Sequence, residues 1–185
     1  HGESLAVSTP VISIFADPRV LAKAESVVLA KLSEQLGFSL DYLKNKIARY
    51  HGKKFMYLDR HLPPNVARAI LIQNFPSVRE KKEYRRFYPA GAAVAHVVGM
   101  TNLDGKGIEG IELAYDERLR GKVGIKHYVK NTRDEAVRDI GVVRAPRPGG
   151  NLRLSIDLRI QYAHFRELRR AMKLLKAETG SVVTL

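Results

Sequence analysis

The 185-residue chain has no cysteine, and it also lacks two features that mark exported or membrane-spanning segments. Without cysteine it can form neither a disulfide nor a thiolate nucleophile, which suits the cytosol and the periplasm equally well. No run of eighteen apolar residues occurs, so no segment is predicted to span a membrane. The first residues lack the charged and then apolar order of a signal peptide. We therefore expect the sequence to begin inside a longer protein.

The motifs of nucleophilic and metal-dependent enzymes are missing as well. No serine begins an S-x-x-K motif and no S-x-N occurs. The segment nearest to K-T-G is Glu178-Thr179-Gly180, which has an acid in place of the lysine. The histidines share no ligand spacing, no H-E-x-x-H occurs, and His96 is interpreted as a packed residue. We therefore expect no catalytic residue, no metal and no cofactor in this chain.

Residues 105–110 spell G-x-G-x-x-G, the pattern of a dinucleotide-binding loop. Such a loop follows a buried strand and brings bare backbone amides to a pyrophosphate. Here the preceding residues 101–104 are typical of a polar turn, and Glu109 places a carboxylate where the phosphate would lie. We interpret the match as a coincidence.

Positive charge is what the sequence has in excess, with a formal net charge of +13. Two interpretations stay open. The charge can belong to a solvated surface that faces anionic lipid or an acidic partner, or it can bind nucleic acid. The basic residues are spread over the whole length without a zinc-finger or RNP arrangement, which favours the first interpretation.

Glu109 and Glu112 form a carboxylate pair with a spacing suited to acid–base work. Three residues apart, they would share one side of a predicted helix. Acids in a first helical turn are also stabilised by the helix dipole and by neighbouring arginines. We favour a structural salt bridge to Arg85 or Arg86, which makes these four residues candidates for ion pairing or partner binding.

The apolar periodicity predicts an α+β fold of short strands, hairpins and several short helices, in two subdomains. Strands are expected over 5–16, with a break or an edge position at Pro10, and over 54–62, 78–88, 152–156 and 181–185. A hairpin is expected between 125–130 and 135–143. Helices are predicted from Asp17 to Gly37, from Ser39 onward, over 63–72, 92–98 and 109–119, and from Asp157 to Gly180.

Several multi-residue motifs, taken in order, resemble the N-terminal pedestal of class B penicillin-binding proteins. They are Arg86-x-Tyr88-Pro89-x-Gly91, Ala95-His96-x-x-Gly99, Gly107-x-Glu109-Gly110-x-Glu112, Leu119-x-Gly121 and Leu152-x-Leu154-Ser155-Ile156-Asp157-x-Arg159-Ile160-Gln161. The resemblance covers essentially the whole chain. Within the family the chain is most similar to the division-specific peptidoglycan D,D-transpeptidases of Gram-negative bacteria.

The resemblance implies a structural role for most of the motif residues. These are Tyr88, Pro89, Gly91, His96, Gly99, Gly107, Gly110, Asp157, Arg159 and Gln161. Tyr88 is in addition a candidate for partner binding, with Arg85, Arg86, Glu109 and Glu112. The implied organisation has first strands over 1–18, a head subdomain over 19–121, an anchor hairpin and helix over 122–180, and the first strand of a missing transpeptidase domain over 181–185.

The resemblance also implies a non-catalytic scaffold on the periplasmic face of the inner membrane, anchored by a transmembrane helix outside this chain. The expected partners are its own transpeptidase domain and divisome proteins, including a SEDS-family glycan polymerase and small bitopic division proteins. A stand-alone basic module that binds nucleic acid or an anionic surface is the alternative. A peptidoglycan hydrolase that uses Glu109 and Glu112 is the least favoured hypothesis.

Overall fold

The computed structural model describes residues 2–130 and 136–183, except for the side chains of 126–130 and 136–142. It confirms an α+β fold. The chain divides into two compact units: Ser8–Phe87, here called the sheet unit, and His1–Val7 with Tyr88–Leu185, here called the hairpin unit. This division differs from the predicted boundaries at 18/19 and 121/122, because the first strand pairs with strands of the predicted head.

The sheet unit contains three strands in the order β2-β1-β3: β1 (Val7–Ala16), β2 (Met56–Leu62) and β3 (Arg79–Phe87). β1 is antiparallel to β2, with Phe15 opposite Tyr57 and register shifts on either side of Ile14. The predicted break or edge position at Pro10 is wrong, since β1 is one continuous central strand. On the β2 side Pro10 removes no ladder hydrogen bond, because the pairing with β2 starts at Ile12, beyond the residue that lacks an N–H.

Four helices cover one face of this sheet unit: α1 (Pro18–Leu21), α2 (Ser26–Gln35), α3 (Leu40–Arg49) and α4 (Pro64–Leu71). The predicted caps are present, because Asp17 accepts a hydrogen bond from the N–H of Arg19 and Ser39 accepts one from the N–H of Tyr42. The single helix predicted from Asp17 to Gly37 is instead two helices. Glu25 has an extended backbone (φ −61°, ψ 147°) and starts α2 afresh.

Strands and helices of the sheet unit share one apolar core. Its buried members are Ile12, Ile14, Ala16, Leu21, Leu29, Leu32, Leu36, Leu43, Ile47, Met56, Leu58, Ala67 and Ile70. Alternate residues of β1 and β2 point into this core, while the intervening ones point to the other face of the sheet.

The hairpin unit begins with a 3-10 turn (Gly91–Ala93) and continues through short helices α5 (Ala95–Val98), α6 (Gly110–Ala114) and α7 (Asp116–Arg120). The helix predicted over 109–119 is therefore interrupted, at Tyr115. β4 (Ile125–Lys130) and β5 (Ala136–Arg144) form the predicted antiparallel hairpin, and α8 (Leu158–Leu175) follows. The centre of the predicted turn, 131–134, lies outside the described residues.

Two predicted strands of the hairpin unit have different outcomes. The strand predicted over 152–156 is wrong, because these residues lack regular structure and no described strand lies beside them to complete a ladder. Residues 181–183 are irregular too, and 184–185 lie outside the described residues. The strand proposed to lead into a following domain thus stays a prediction.

Candidate functional site

The segment that links α5 to α6 carries the glycine-rich motif, and two of its three glycines, Gly107 and Gly110, face protein backbone, whereas Gly105 faces open space. A Cβ on Gly107 would lie 2.0 Å from the carbonyl oxygen of Glu112, and one on Gly99 would lie 1.8 Å from that of Glu109. Gly110, at φ +58°, would bring a Cβ within 2.7 Å of the N of Gly99. These short distances between backbone segments leave no room for a pyrophosphate beside Gly107 and Gly110. The segment 105–110 therefore offers no dinucleotide cradle.

Side chains fix the same segment from both ends. The Tyr88 hydroxyl accepts a hydrogen bond from the N–H of Thr101 at 3.1 Å. The N–H of Gly107 donates to Asp116 Oδ1 at 2.8 Å, and Asp116 also pairs with Arg120 one turn later on α7. Asp116 was not among the predicted site residues, although its i, i+4 spacing to an arginine is a readable signal. The motif segment is thus a tightly bonded loop.

The two motif glutamates lie in unlike surroundings. Glu112 on α6 is buried, with 3% of its surface exposed, whereas Glu109 precedes the helix and is exposed. In the sheet unit Arg85 is exposed, and Arg86 donates to Ser8 Oγ at 3.0 Å. A salt bridge between these acids and arginines would join the two units, and it stays a prediction.

Asp157, Arg159 and Gln161 lie at the start of α8. Asp157 caps the helix by accepting from the N–H of Arg159 at 2.9 Å, and its carboxylate pairs with the Arg159 guanidinium at 2.9 Å. This hydrogen-bonded arginine lowers the pKa of Asp157 to about 2. The Gln161 side chain donates to the carbonyl of Ala93 at 2.9 Å, which ties α8 to the 3-10 turn.

The remaining motif residues of this region are on the surface. Pro89 and Gly91 are exposed. His96 is exposed as well, so its interpretation as a packed residue is wrong. The apolar side of this region is supplied instead by Val94 and Val98, which are buried. His96 lines a groove of about 210 Å³ with, among others, Gln161 and His164.

The strongest electrostatic cluster of the sheet unit centres on Glu83, which the sequence analysis did not select. Its carboxylate accepts hydrogen bonds from the Ser13 hydroxyl on β1 and, at 3.2 Å, from both Tyr57 and Arg60 on β2. Lys81 on β3 pairs with it at 3.1 Å. Burial raises the pKa of Glu83, but the bonds from Ser13, Lys81 and Arg60 outweigh it and bring that pKa to about 2.

This Glu83 cluster takes side chains from all three strands, so it holds the sheet together across its outer face. The Tyr57 ring makes two cation–π contacts, with the Arg60 guanidinium 4.6 Å and the Lys81 ammonium 5.4 Å from its centroid. His61 completes the cluster, with Nε2 3.9 Å from the Glu83 carboxylate. The carboxylate is stabilised in its charged form and surrounded by cations, which suits a structural role and not that of a general acid.

Two chemical features can be assessed over the described part of the chain. There, no three histidine, aspartate or glutamate side chains come together in a way that could hold a metal ion. Among the described helices, none combines the length and apolar character that crossing a bilayer requires.

Comparison with known proteins identifies the family. The model of the penicillin-binding protein dimerisation domain matches residues 1–154. The chain therefore belongs to the penicillin-binding protein dimerisation domain family.

The relatives it resembles are peptidoglycan D,D-transpeptidases. It is 37% identical over 186 residues to FtsI of Escherichia coli K12, covering 98% of this chain and 32% of that protein. It is 36% identical over 183 residues to the probable enzyme PbpC of Pseudomonas aeruginosa, covering 99% of this chain and 32% of that protein. The probable enzyme PenA of Neisseria meningitidis is 36% identical over 188 residues, covering 100% of this chain and 32% of that protein. The chain thus spans about a third of the length of these relatives.

Solved structures share the fold. A complex of the Helicobacter pylori penicillin-binding protein PBP2 with MreC has a TM-score of 0.59 at 23% identity, covering 94% of this chain and 35% of that one. Penicillin-binding protein 2X of Streptococcus thermophilus has a TM-score of 0.61 at 16% identity, covering 94% of this chain and 29% of that one.

Proposed function

We propose that this chain is the non-catalytic scaffold and partner-docking part of a septal peptidoglycan D,D-transpeptidase. The observation that carries the proposal is the combination of two facts. The chain matches relatives with that activity along its whole length, yet it spans about a third of theirs and has no S-x-x-K, S-x-N or K-T-G motif. The serine chemistry of the whole protein would then belong to residues outside this chain.

The geometry of the motif residues supports a scaffold role. Gly99, Gly107 and Gly110 serve close backbone packing, and Tyr88 and Gln161 bond to backbone groups. None of these contacts orients a nucleophile or a general base. We infer that the motif residues act on the fold, and that the exposed Arg85 and Glu109 are available to partners, with Arg86 as a further candidate.

The place and the partners are part of the same proposal. We infer a position on the periplasmic face of the inner membrane, next to the protein's own transpeptidase domain, a SEDS-family glycan polymerase and small bitopic division proteins. The Helicobacter pylori PBP2, which contains this fold, was solved in a complex with the protein MreC, so a protein that contains this fold binds a protein partner. The net charge of +13 favours an alternative, binding to nucleic acid or another anionic surface.

A chimera tests the proposal. The segment of Escherichia coli FtsI that aligns with this chain is replaced by residues 1–185, and the chimera is expressed in cells depleted of their own FtsI. We expect the chimera to bind fluorescent penicillin and to restore division, whereas the isolated chain binds no penicillin. Penicillin labelling of the isolated chain, or a penicillin-labelled chimera that leaves the cells filamentous, would contradict the proposal. Salt-sensitive DNA binding by the isolated chain would instead favour the alternative.

A further inference from the structure

β3 is an edge strand of the sheet unit. In the described part of the chain it pairs as a strand with β1 alone, so the backbone N–H and C=O groups along its outer edge have no strand partner. The strand is 9 residues long and contains no proline, which makes it long for an edge strand. Such an edge is a template for the addition of another strand.

The side chains of β3 give this outer edge a definite character. Five of its residues are basic and two are acidic. Arg79, Lys82 and Arg85 are exposed and form no ion pair with another described residue. The charge of Glu83 is already compensated by Arg60 and Lys81. The side chains along the outer edge of β3 therefore carry mainly positive charge.

Two exposed aromatic rings interrupt this basic surface. Tyr84 has 68% and Phe87 has 59% of its surface exposed. Aromatic residues on a strand gain most from β-branched or aromatic residues on the neighbouring strand. The rings thus add apolar contact area to an edge whose charge alone would give little affinity.

The positive charge and the exposed aromatic rings of β3 favour one kind of strand as the partner of its outer edge. A second copy of β3 would place basic side chains opposite basic side chains, which is destabilising across a strand pair. An acidic strand would face cations instead and would be steered toward them. We propose that the outer edge of β3 is a docking site for an extended acidic segment of a partner protein, which adds to the sheet as a further strand. This inference rests on the proposed docking role.

The test uses the 185-residue chain and a synthetic peptide of about nine residues that alternates glutamate and valine, with blocked termini. We expect binding, with the largest amide chemical-shift changes in residues 79–87. Methylating alternate peptide nitrogens should abolish binding, because it removes the donors of the strand pairing. A lysine–valine peptide should not bind. Equal binding of the methylated peptide, or shift changes confined to other residues, would overturn the proposal.

Matched charge reversals distinguish binding at the outer edge of β3 from a general electrostatic attraction between the acidic peptide and the basic chain. The double variant Arg79→Glu with Arg85→Glu should weaken binding about tenfold, since these two residues lie on the same face of β3, where two exposed pairs with the glutamates are lost and two repulsions replace them. The double variant Lys31→Glu with Lys44→Glu changes two exposed lysines on α2 and α3 by the same total charge. It should weaken binding about twofold or less. Equal losses in the two double variants would overturn the proposal.

A failure here is distinguishable from a failure of the proposed function. If the peptide does not bind while the FtsI chimera restores division, the scaffold role stands and the edge-strand inference is wrong. Concentration-dependent dimers, detected by sedimentation and removed by Tyr84→Lys, would identify a second copy as the occupant and would also overturn the inference.

Discussion

The sheet unit and the hairpin unit are stabilised by different means. In the sheet unit one cluster joins buried apolar side chains from all its helices and from β1 and β2. In the hairpin unit the buried apolar side chains among the described residues are Ala93, Val94 and Val98, and α8 has no buried residue. Its order comes instead from glycines pressed against backbone and from a few side-chain bonds to backbone groups. Apolar burial and backbone fit are therefore alternative ways to fix a fold.

The largest effect should come from a cavity in the core of the sheet unit. Leu32 on α2 is fully buried, so Leu32→Ala should lower the free energy of unfolding by about 3 kcal/mol. Leu174→Ala on α8, where 81% of the leucine is exposed, should change it by less than about 0.5 kcal/mol. Urea unfolding followed by circular dichroism measures both. Equal losses would show that the α8 face is as well packed as the core.

A methyl group on a packed glycine should have the next largest effect. Gly107→Ala would force a Cβ into the backbone of Glu112 and should destabilise the hairpin unit by about 2 kcal/mol or more. Gly150→Ala in the same unit meets neighbours at ordinary contact distances and should be nearly neutral. Amide hydrogen exchange in residues 95–120 checks this. Unchanged exchange in Gly107→Ala would mean that the segment has room to relax.

The Glu83 cluster should contribute less, and in a pH-dependent manner. Glu83→Gln should cost about 2 kcal/mol at pH 7, because the cluster loses charge-assisted bonds, whereas Glu80→Gln at an exposed neighbour should cost almost nothing. The pKa of Glu83 lies below its usual 4.5, at about 2. Its stabilisation is therefore complete above about pH 4.5 and is lost as the pH falls through about 2.

Urea unfolding at several pH values tests this dependence. The difference between the wild-type chain and Glu83→Gln should shrink steadily between pH 4.5 and pH 2. A constant difference over that range would show that the loss comes from altered packing and not from the carboxylate charge.

The smallest expected effect is that of a helix cap. Ser39→Ala removes the acceptor for the N–H of Tyr42 at the start of α3 and should cost about 1 kcal/mol. Ser39→Asp keeps an acceptor there and should restore most of the stability. The melting temperatures of the wild-type chain, Ser39→Ala and Ser39→Asp, measured by thermal unfolding, test this prediction. A cost for Ser39→Asp equal to that for Ser39→Ala would rule out the cap as the cause.

Much of the fold was predictable because its signals are local. Asp17-Pro18 and Ser39 marked helix starts, and Gly37 and Gly121 marked the ends of helical segments. The strands β2 and β3 and the hairpin of β4 and β5 were also predicted. The interruptions at Glu25 and Tyr115 were missed, because apolar spacing continues across them while the backbone does not.

The site was less predictable than the fold. The motif residues were found through a family resemblance, and Glu83 was not found at all. Its partners lie on three strands, with Ser13 separated from it by 70 residues along the chain. No spacing of residues along the sequence predicts such a cluster, since only strand pairing brings Ser13 and Tyr57 beside Glu83.

The sequence by itself determined the local elements, the excess of positive charge and the family resemblance, because caps, turns and motifs depend on neighbouring residues. The tertiary structure alone decided that β1 is central, that β3 is an edge and that Glu83 is held by cations. It also decided that Glu112 is buried and His96 exposed. These properties depend on which segments, distant in sequence, pack against each other. The free energy of burial and strand pairing selects those contacts, and it depends on the whole chain and not on any short segment.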